Sequence, residues 1–366
     1  MEKIMLYIIS AFFIIGIFDY ILGGKFGLGK ELENGIKSMG SLAISMVGII
    51  SITPIISEGL NKYIIPRLNI NLIDPSIISS SLIAVDMGGY KIAEAIGRSS
   101  AEVYFSGILI SSILGCTISF TLPLALGIIK EEDRDVLCKG VLCGIVTVPV
   151  GLFIGGILLR IPIMIIFKNL LPIIVISLFI IIGLKKIPNK MIAYFERLAR
   201  FIFIIGLIGL GIQGITSITG VVIIKGLLPI EESIIIVGKI AIFLAGANVM
   251  LKVIKIIFAE KINKLKEALG INTESVTSLI GSLASAVIVF TDFDKLDNRG
   301  KIICSAFSVS GAYVFGGQLG YVVTEAKEVV FIYILVKLIS GFLAIILAMK
   351  ISKDCVIEEK NRAVNN

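Results

Sequence analysis

The chain has 366 residues, 56% apolar and only 17% charged, with a mean hydropathy of +1.01 and a net charge of +7. An ordinary soluble domain carries about 25% charged residues; this deficit, spread over long uncharged runs, excludes a soluble globular domain, a disordered chain, a disulfide-rich secreted module and a nucleic-acid binder. His and Trp are absent, which removes imidazole bases, His metal ligands and His proton relays.

The composition predicts an all-α integral membrane protein with about 10–11 transmembrane helices. The first apolar run, 4–22, follows Lys3 and precedes no small-residue cleavage site, so it reads as a retained helix. Asp19 near its end suits a solvated or capping role. Gly24-Lys25-Phe26-Gly27-Leu28-Gly29-Lys30 has phosphate-loop spacing, but Glu31 stands where Ser or Thr would hold magnesium, and the loop follows a membrane helix. Nucleotide binding is rejected on both grounds. Segment 36–56 comes next, then an amphipathic basic stretch, 57–70, expected to lie in the interface.

Segment 76–90 is short and ends in Asp86-Met87-Gly88-Gly89-Tyr90. An Asp at membrane depth costs about 3 kcal/mol on insertion scales and needs a partner or a wet cavity. Paired glycines let a helix break and expose carbonyls. Asp86 is therefore the leading candidate seat for a cation, with capping or pairing to Lys91 as the structural alternative. In a continuing helix Tyr90 shares its face. Glu94 is expected within reach of Lys91 or Arg98. Segment 101–129 is interrupted by Pro123, and Thr117, Ser119 and Thr121 are expected to satisfy the carbonyl that proline frees.

Segments 136–159, 162–184, 197–218 and 233–258 follow. Asn248 lies among small residues in the last of these; it lines a pore or bonds a neighbouring helix. A second amphipathic basic stretch spans 259–270. After segment 274–291, Asp292, Asp294 and Asp297 flank Lys295 and Arg299 and read as a mixed-charge loop with an N-terminal cap. Segment 302–324 holds Gly316, Gly317 and Gln318; Gln318 has the same two readings as Asn248. The glycines suggest close backbone approach or another break. Segment 329–349 contains Lys337, read as structural, and 351–366 is a polar tail. Cys116, Cys138, Cys143, Cys304 and Cys355 form no CxxC pair and read as packing residues.

A weak repeat at an offset of about 200 residues sets Met39-Gly40 against Val237-Gly238, Leu68-Asn69 against Leu269-Gly270 and Phe105-Ser106 against Phe307-Ser308. The expected organisation is a first repeat over 1–160, a linking helix over 161–190, a second repeat over 191–350 and the tail from 351 to 366, with two five-segment halves and broken or re-entrant segments. Basic loops 185–200 and 252–266 are expected on the cytoplasmic side. Eleven crossings would put the basic tail outside, so one segment is re-entrant or one assignment fails; the sequence leaves topology open. Gly88, Gly89, Pro123, Gly316 and Gly317 are the expected helix-break or gating positions.

The chain also resembles the ethanolamine utilisation permease family, EutH, along nearly its whole length. The resemblance rests on Lys25-Phe26-Gly27-Leu28-Gly29-Lys30, Met39-Gly40-Ser41-Leu42-Ala43, Asp86-Met87-Gly88-Gly89, Pro123-Leu124-Ala125-Leu126-Gly127, Gly144-Ile145-Val146-Thr147-Val148-Pro149, Arg299-Gly300-Lys301 and Lys337-Leu338-Ile339, taken in order. It implies a multi-pass inner-membrane facilitator that admits ethanolamine for catabolism. Two departures bear on substrate: Ser285-Ala286-Val287 stands where the family has paired asparagines with a nearby proline, and Gly317-Gln318 stands where it has an acidic residue and His. A divergent paralogue would carry another small amine or alcohol.

On this reading Asp86 meets the ammonium, Tyr90 offers an aromatic contact, and Asn248 and Gln318 meet the hydroxyl. The expected partners are a small amine and the lipid bilayer, with no nucleic acid, no cofactor and no metal; a homo-oligomer is left open. No ATP motif is present, so transport is facilitated or ion-coupled. The rivals are a membrane-embedded enzyme acting on lipid head groups, for which Asp292–Asp297 is the sole acidic cluster, and a receptor that binds without flux.

Overall fold

The structure is a computed structural model that describes residues 2–68, 73–257 and 259–364; among these every regular element is helical. In chain order the elements are α1 (Glu2–Ile21), α2 (Leu28–Gly59), α3 (Ser76–Leu82), α4 (Gly89–Ile96), α5 (Ser100–Ile128), α6 (Arg134–Leu158), α7 (Ile163–Lys186) and α8 (Pro188–Thr219). Then come α9 (Ile230–Ile257), α10 (Ala259–Leu269), α11 (Thr273–Ser282), α12 (Val287–Thr291), α13 (Asn298–Ser310), α14 (Gly317–Glu325) and α15 (Val330–Val364). Among the described residues seven helices are long and apolar enough to cross a bilayer, and Leu6–Ile21 adds a shorter apolar one. The three remaining expected segments, 76–90, 274–291 and 302–324, are each built as helix, break, helix. The chain is an all-α integral membrane protein.

Two expected boundaries differ. The stretch from 57 does not begin a new helix: α2 runs on to Leu68, and widened turns at Leu60–Ile64 absorb the N–H that Pro66 lacks. Asn69 and the rest of that stretch lie outside the described residues. Pro123 does not break α5 either. The helix absorbs the missing N–H in wide, five-residue turns over Tyr104–Gly115 and Thr117–Thr121, and continues to Ile128.

Small residues set the packing, as expected where lipid supplies no hydrophobic drive between helices. A methyl on Gly48 of α2 would sit 1.8 Å from the Gly206 carbonyl of α8. α2 and α9 run antiparallel: Gly35 abuts Ala245, and the hydroxyls of Ser51 and Ser233 meet at 3.5 Å. α6 and α15 are also antiparallel, Gly151 facing Ser340 and Gly155 facing Val336. α5 is central, with 83% of its apolar window buried; α7, at 33%, is peripheral and turns Phe167, Leu171, Val175 and Phe179 outward.

The loop charges are tied to one another. The Asp19 carboxylate accepts from the N–H groups of Phe26, Leu28 and Gly29 at 2.7–2.9 Å, capping α2. Asp292 pairs with Lys295 at 2.7 Å and Asp294 with Lys130 at 2.8 Å, while Asp297 accepts from the Asn272 N–H and the Ser275 hydroxyl. A buried pair, Asp133–Lys301 at 2.6 Å, joins the start of α6 to α13. Cys116, Cys138, Cys143 and Cys304 are buried free thiols; the side chain of Cys355 lies outside the description.

Candidate functional site

The first break begins where α3 ends at Leu82. Ile83 turns extended, Val85–Met87 makes one tight turn, and Gly88 takes φ +94, which a side chain resists. Backbone groups orphaned by the break find serines on α5. The Ala84 N–H donates to Ser119 Oγ at 3.1 Å, and the Ser111 hydroxyl donates to the Ile83 carbonyl. Ser119 and Thr117 therefore do not serve the carbonyl freed by Pro123: their hydroxyls donate to Gly115 and Ile113 instead, and Thr117 also reaches Val309 of α13.

The second break (283–286) and the third (311–316) lie against each other. The Tyr313 N–H donates to the Ser282 carbonyl at 3.0 Å, and the Phe315 N–H to Leu283 at 2.8 Å. Tyr313 is held at φ +62, a costly conformation for an aromatic residue.

All three breaks wall one cavity of about 450 Å³. Asp86 and Met87 come from the first, Ala284 and Ser285 from the second, and Tyr313, Gly317 and Gln318 border the third. α2 adds Ser38, Ser41, Leu42 and Ser45, and α9 adds Leu244 and Asn248. The structure thus brings Asp86, Asn248 and Gln318 together from positions far apart in sequence. Among the described residues no cation lies within ion-pair distance of Asp86; Lys337 acts on it through space only. The Lys337 ammonium, 1% exposed, donates to the Ser112 carbonyl at 2.9 Å and to Gln318 Oε1 at 2.7 Å. Two buried polar atoms on the cavity wall make no well-formed hydrogen bond in the protein: the Tyr313 hydroxyl, near Thr121, and Gln318 Nε2, near the weakly accepting Cys116 sulfur.

Tyr90 is placed elsewhere. A shared face with Asp86 required a continuous helix, and the left-handed Gly88 ends the helix between them. Tyr90 packs edge-on against Tyr321, ring centroids 6.3 Å apart, and beside it Lys91 bridges Glu325 at 2.6 Å and Glu94 at 3.2 Å.

The paired glycines have different work. A methyl on Gly316 would lie 2.0 Å from the Ala284 carbonyl, whereas one on Gly317 meets nothing closer than Leu42 Cδ2 at 4.0 Å. Gly316 permits the two breaks to touch; Gly317 leaves space in the cavity. Gly316→Ala is expected to lower the melting temperature in detergent by several degrees, about 2 kcal/mol of overpacking, with Gly317→Ala near wild type. Equal melting of the two variants would contradict this assignment.

Antiparallel α2 and α9 order the space along the membrane normal. A polar vestibule of about 310 Å³, lined by Glu31, Asn34, Lys252 and Lys255, shares Asn248, Ala284 and Ser285 with the cavity. At the opposite ends of the same helices a second vestibule of about 330 Å³, lined by Thr53, Lys91, Glu94 and Glu232, shares no residue with it.

Sequence reasoning missed Tyr313 and the serines of α2, while Ser285, marked only as a departure from the family pattern, does line the cavity. Ser38, Ser41 and Ser45 recur at spacings of three and four, one helical face, which was a readable signal. Tyr313 carried none.

The family profile described as "Ethanolamine utilisation protein, EutH" matches residues 1–351. The chain is 38% identical to "Probable ethanolamine permease EutH" of Listeria monocytogenes over 99% of its own length and 96% of the relative's. It is 32% identical to the protein of the same name from Salmonella typhimurium, covering 99% and 98%. It is also 36% identical to "Uncharacterized protein YxeR" of Bacillus subtilis, covering 93% and 92%. No solved structure matches the chain. Seven spanning helices, a cavity among broken segments and a full-length family match converge: the chain is a multi-pass membrane protein of the EutH family.

Proposed function

We propose that this protein is an ethanolamine permease whose substrate site is the cavity beside Asp86. One observation carries the reading: a carboxylate with no ion-pair partner faces a cavity walled by three helix breaks, the arrangement transporters use to bind at the midplane. At neutral pH ethanolamine is mainly an ammonium ion with one hydroxyl. Asp86 supplies the counter-charge, the Gln318 amide and Asn248 supply hydroxyl partners, and Leu42, Met87 and Phe120 supply apolar wall. The names of the relatives support the substrate. The acidic cluster that a head-group enzyme would need is engaged in loop ties, and among the described residues no group of three or more His, Cys, Asp or Glu is placed to hold a metal.

The halves on either side of α7 follow one order: helix, long helix, broken segment, fourth segment, long helix. The antiparallel pairing of α2 with α9 and of α6 with α15 supports inverted repeats that rock about the cavity. The vestibule at Lys252 and Lys255 adjoins the basic segment read as cytoplasmic, so this is the inward-open arrangement. The Tyr90–Tyr321 contact and the Lys91–Glu325 pair close the other side.

Saturable uptake of labelled ethanolamine by proteoliposomes tests the reading, and its absence would overturn it. Acid outside the cell depletes the neutral amine that crosses unaided, so the gene should matter most for growth on ethanolamine at low pH. Equal growth with and without it there would count against a facilitator. For the closing contact, Lys91→Glu sets three carboxylates together and is expected to lower uptake about ten-fold through lost closure; the exchange Lys91→Glu with Glu325→Lys should restore it. Failure of the exchange to recover any uptake would leave the pair without a gating role.

A further inference from the structure

Gln318 is 2% exposed and lines the cavity. Its Oε1 accepts from the Lys337 ammonium at 2.7 Å and from the Tyr333 hydroxyl at 3.4 Å. An ammonium only donates, so the amide oxygen must face it. A flipped amide would set an NH2 group against an NH3 group, two donors with nothing between them. Lys337 cannot turn away, because it is fully buried and held by the Ser112 carbonyl at 2.9 Å. Gln318 Nε2 makes no well-formed hydrogen bond in the protein; the Cys116 sulfur near it is a weak acceptor already engaged with the Thr121 hydroxyl. A buried donor left unmade costs about 1–3 kcal/mol, and what it lacks is a strong acceptor.

We infer that Lys337 locks Gln318 as a one-way donor, which selects small amines carrying a hydroxyl or ether oxygen over those carrying none. Lys337 is a positioning residue; it touches no substrate. The inference rests on the permease reading and deepens it. Asp86 holds any small ammonium ion alike, so discrimination falls to the other end of the molecule. There the amide reads an oxygen lone pair, not an O–H group. Ethylamine offers no acceptor. Methoxyethylamine offers an oxygen without a proton, and a cavity of about 450 Å³ has room for its extra methyl.

The test is competition against labelled ethanolamine uptake in proteoliposomes. In the native protein methoxyethylamine should compete within a few-fold of unlabelled ethanolamine, and ethylamine about ten-fold or more weakly, the consequence of one buried donor left unpaired. Gln318→Glu keeps an oxygen against Lys337 but replaces the donor by a second acceptor. Methoxyethylamine should then lose about ten-fold relative to ethanolamine, whose hydroxyl still donates. Lys337→Met frees the amide to turn its oxygen to the cavity, and methoxyethylamine should then lose ground to ethanolamine, whose hydroxyl donates as well as accepts. Both are monocations, so the lost charge cancels in that comparison. If Lys337→Met does not fold, Gln318→Glu decides alone. An unchanged ranking in Gln318→Glu, with ethanolamine uptake intact, overturns the lock and leaves the permease reading standing. Absence of saturable ethanolamine uptake by the native protein overturns the permease reading itself and the lock with it.

Discussion

Asp86→Asn is expected to lower ethanolamine uptake by about 100-fold or more while the protein still folds. An ammonium ion leaving water for a membrane cavity gives up its hydration, and only an opposite charge offsets that loss. Removing one partner of a buried charge pair typically costs 2–5 kcal/mol, roughly 30-fold to several thousand-fold in binding. Asn keeps the shape of Asp and removes only the charge. Among the described residues no cation is paired with Asp86, so the change breaks no ion pair and removes only the through-space attraction of the buried Lys337; the melting temperature should fall little. Uptake is measured in proteoliposomes and melting in detergent. Undiminished uptake removes Asp86 from the mechanism; lost uptake with collapsed melting would assign it to folding instead.

Gly89→Ala is expected to disable the protein by a different route. A methyl there would fall 1.9 Å from Ser111 Oγ, 2.6 Å from the Ile83 carbonyl and 2.8 Å from the Ala84 carbonyl. Backbone carbonyls inside a break have nowhere to go. α4 must lift from α5, carrying Gly88 and the Asp86 turn with it, and the serine bonds to Ile83 and Ala84 are lost together. The expected cost is about 3 kcal/mol or more, from overpacking plus unpaired backbone groups. Both melting temperature and uptake should fall. Gly127→Ala is the control, since a methyl at that position on α5 meets nothing within 4 Å. Wild-type melting of Gly89→Ala would show that the break is not held by this contact.

Different physics governs what was legible. Spans were legible because a bilayer demands apolar runs of fixed length, and hydropathy counts them. The break at Gly88 was legible because a charge beside paired glycines breaks the local rule for a membrane helix. The serines of α2 were readable as one face by their spacing but not as cavity wall, because hydroxyls are cheap in helices: Ser45 bonds back to the carbonyls of Ser41 and Leu42, as any helical serine does. Tyr90 was misplaced because helical periodicity was carried across a residue that ends the helix.

Taken alone, the amino-acid order determined that this protein lives in a membrane as helices, where those helices run, and which family it resembles. These follow from local quantities: apolar length, charge, glycine pairs and short motifs. The tertiary structure decided that Asp86, Asn248, Tyr313 and Gln318 surround one space, that Tyr90 stands outside it, and that Lys337 fixes the direction of an amide. Those facts depend on which helix faces meet across the bundle. That is set by the small-residue contacts between α2, α8 and α9 and by the meeting of two unwound segments, which no local pattern encodes.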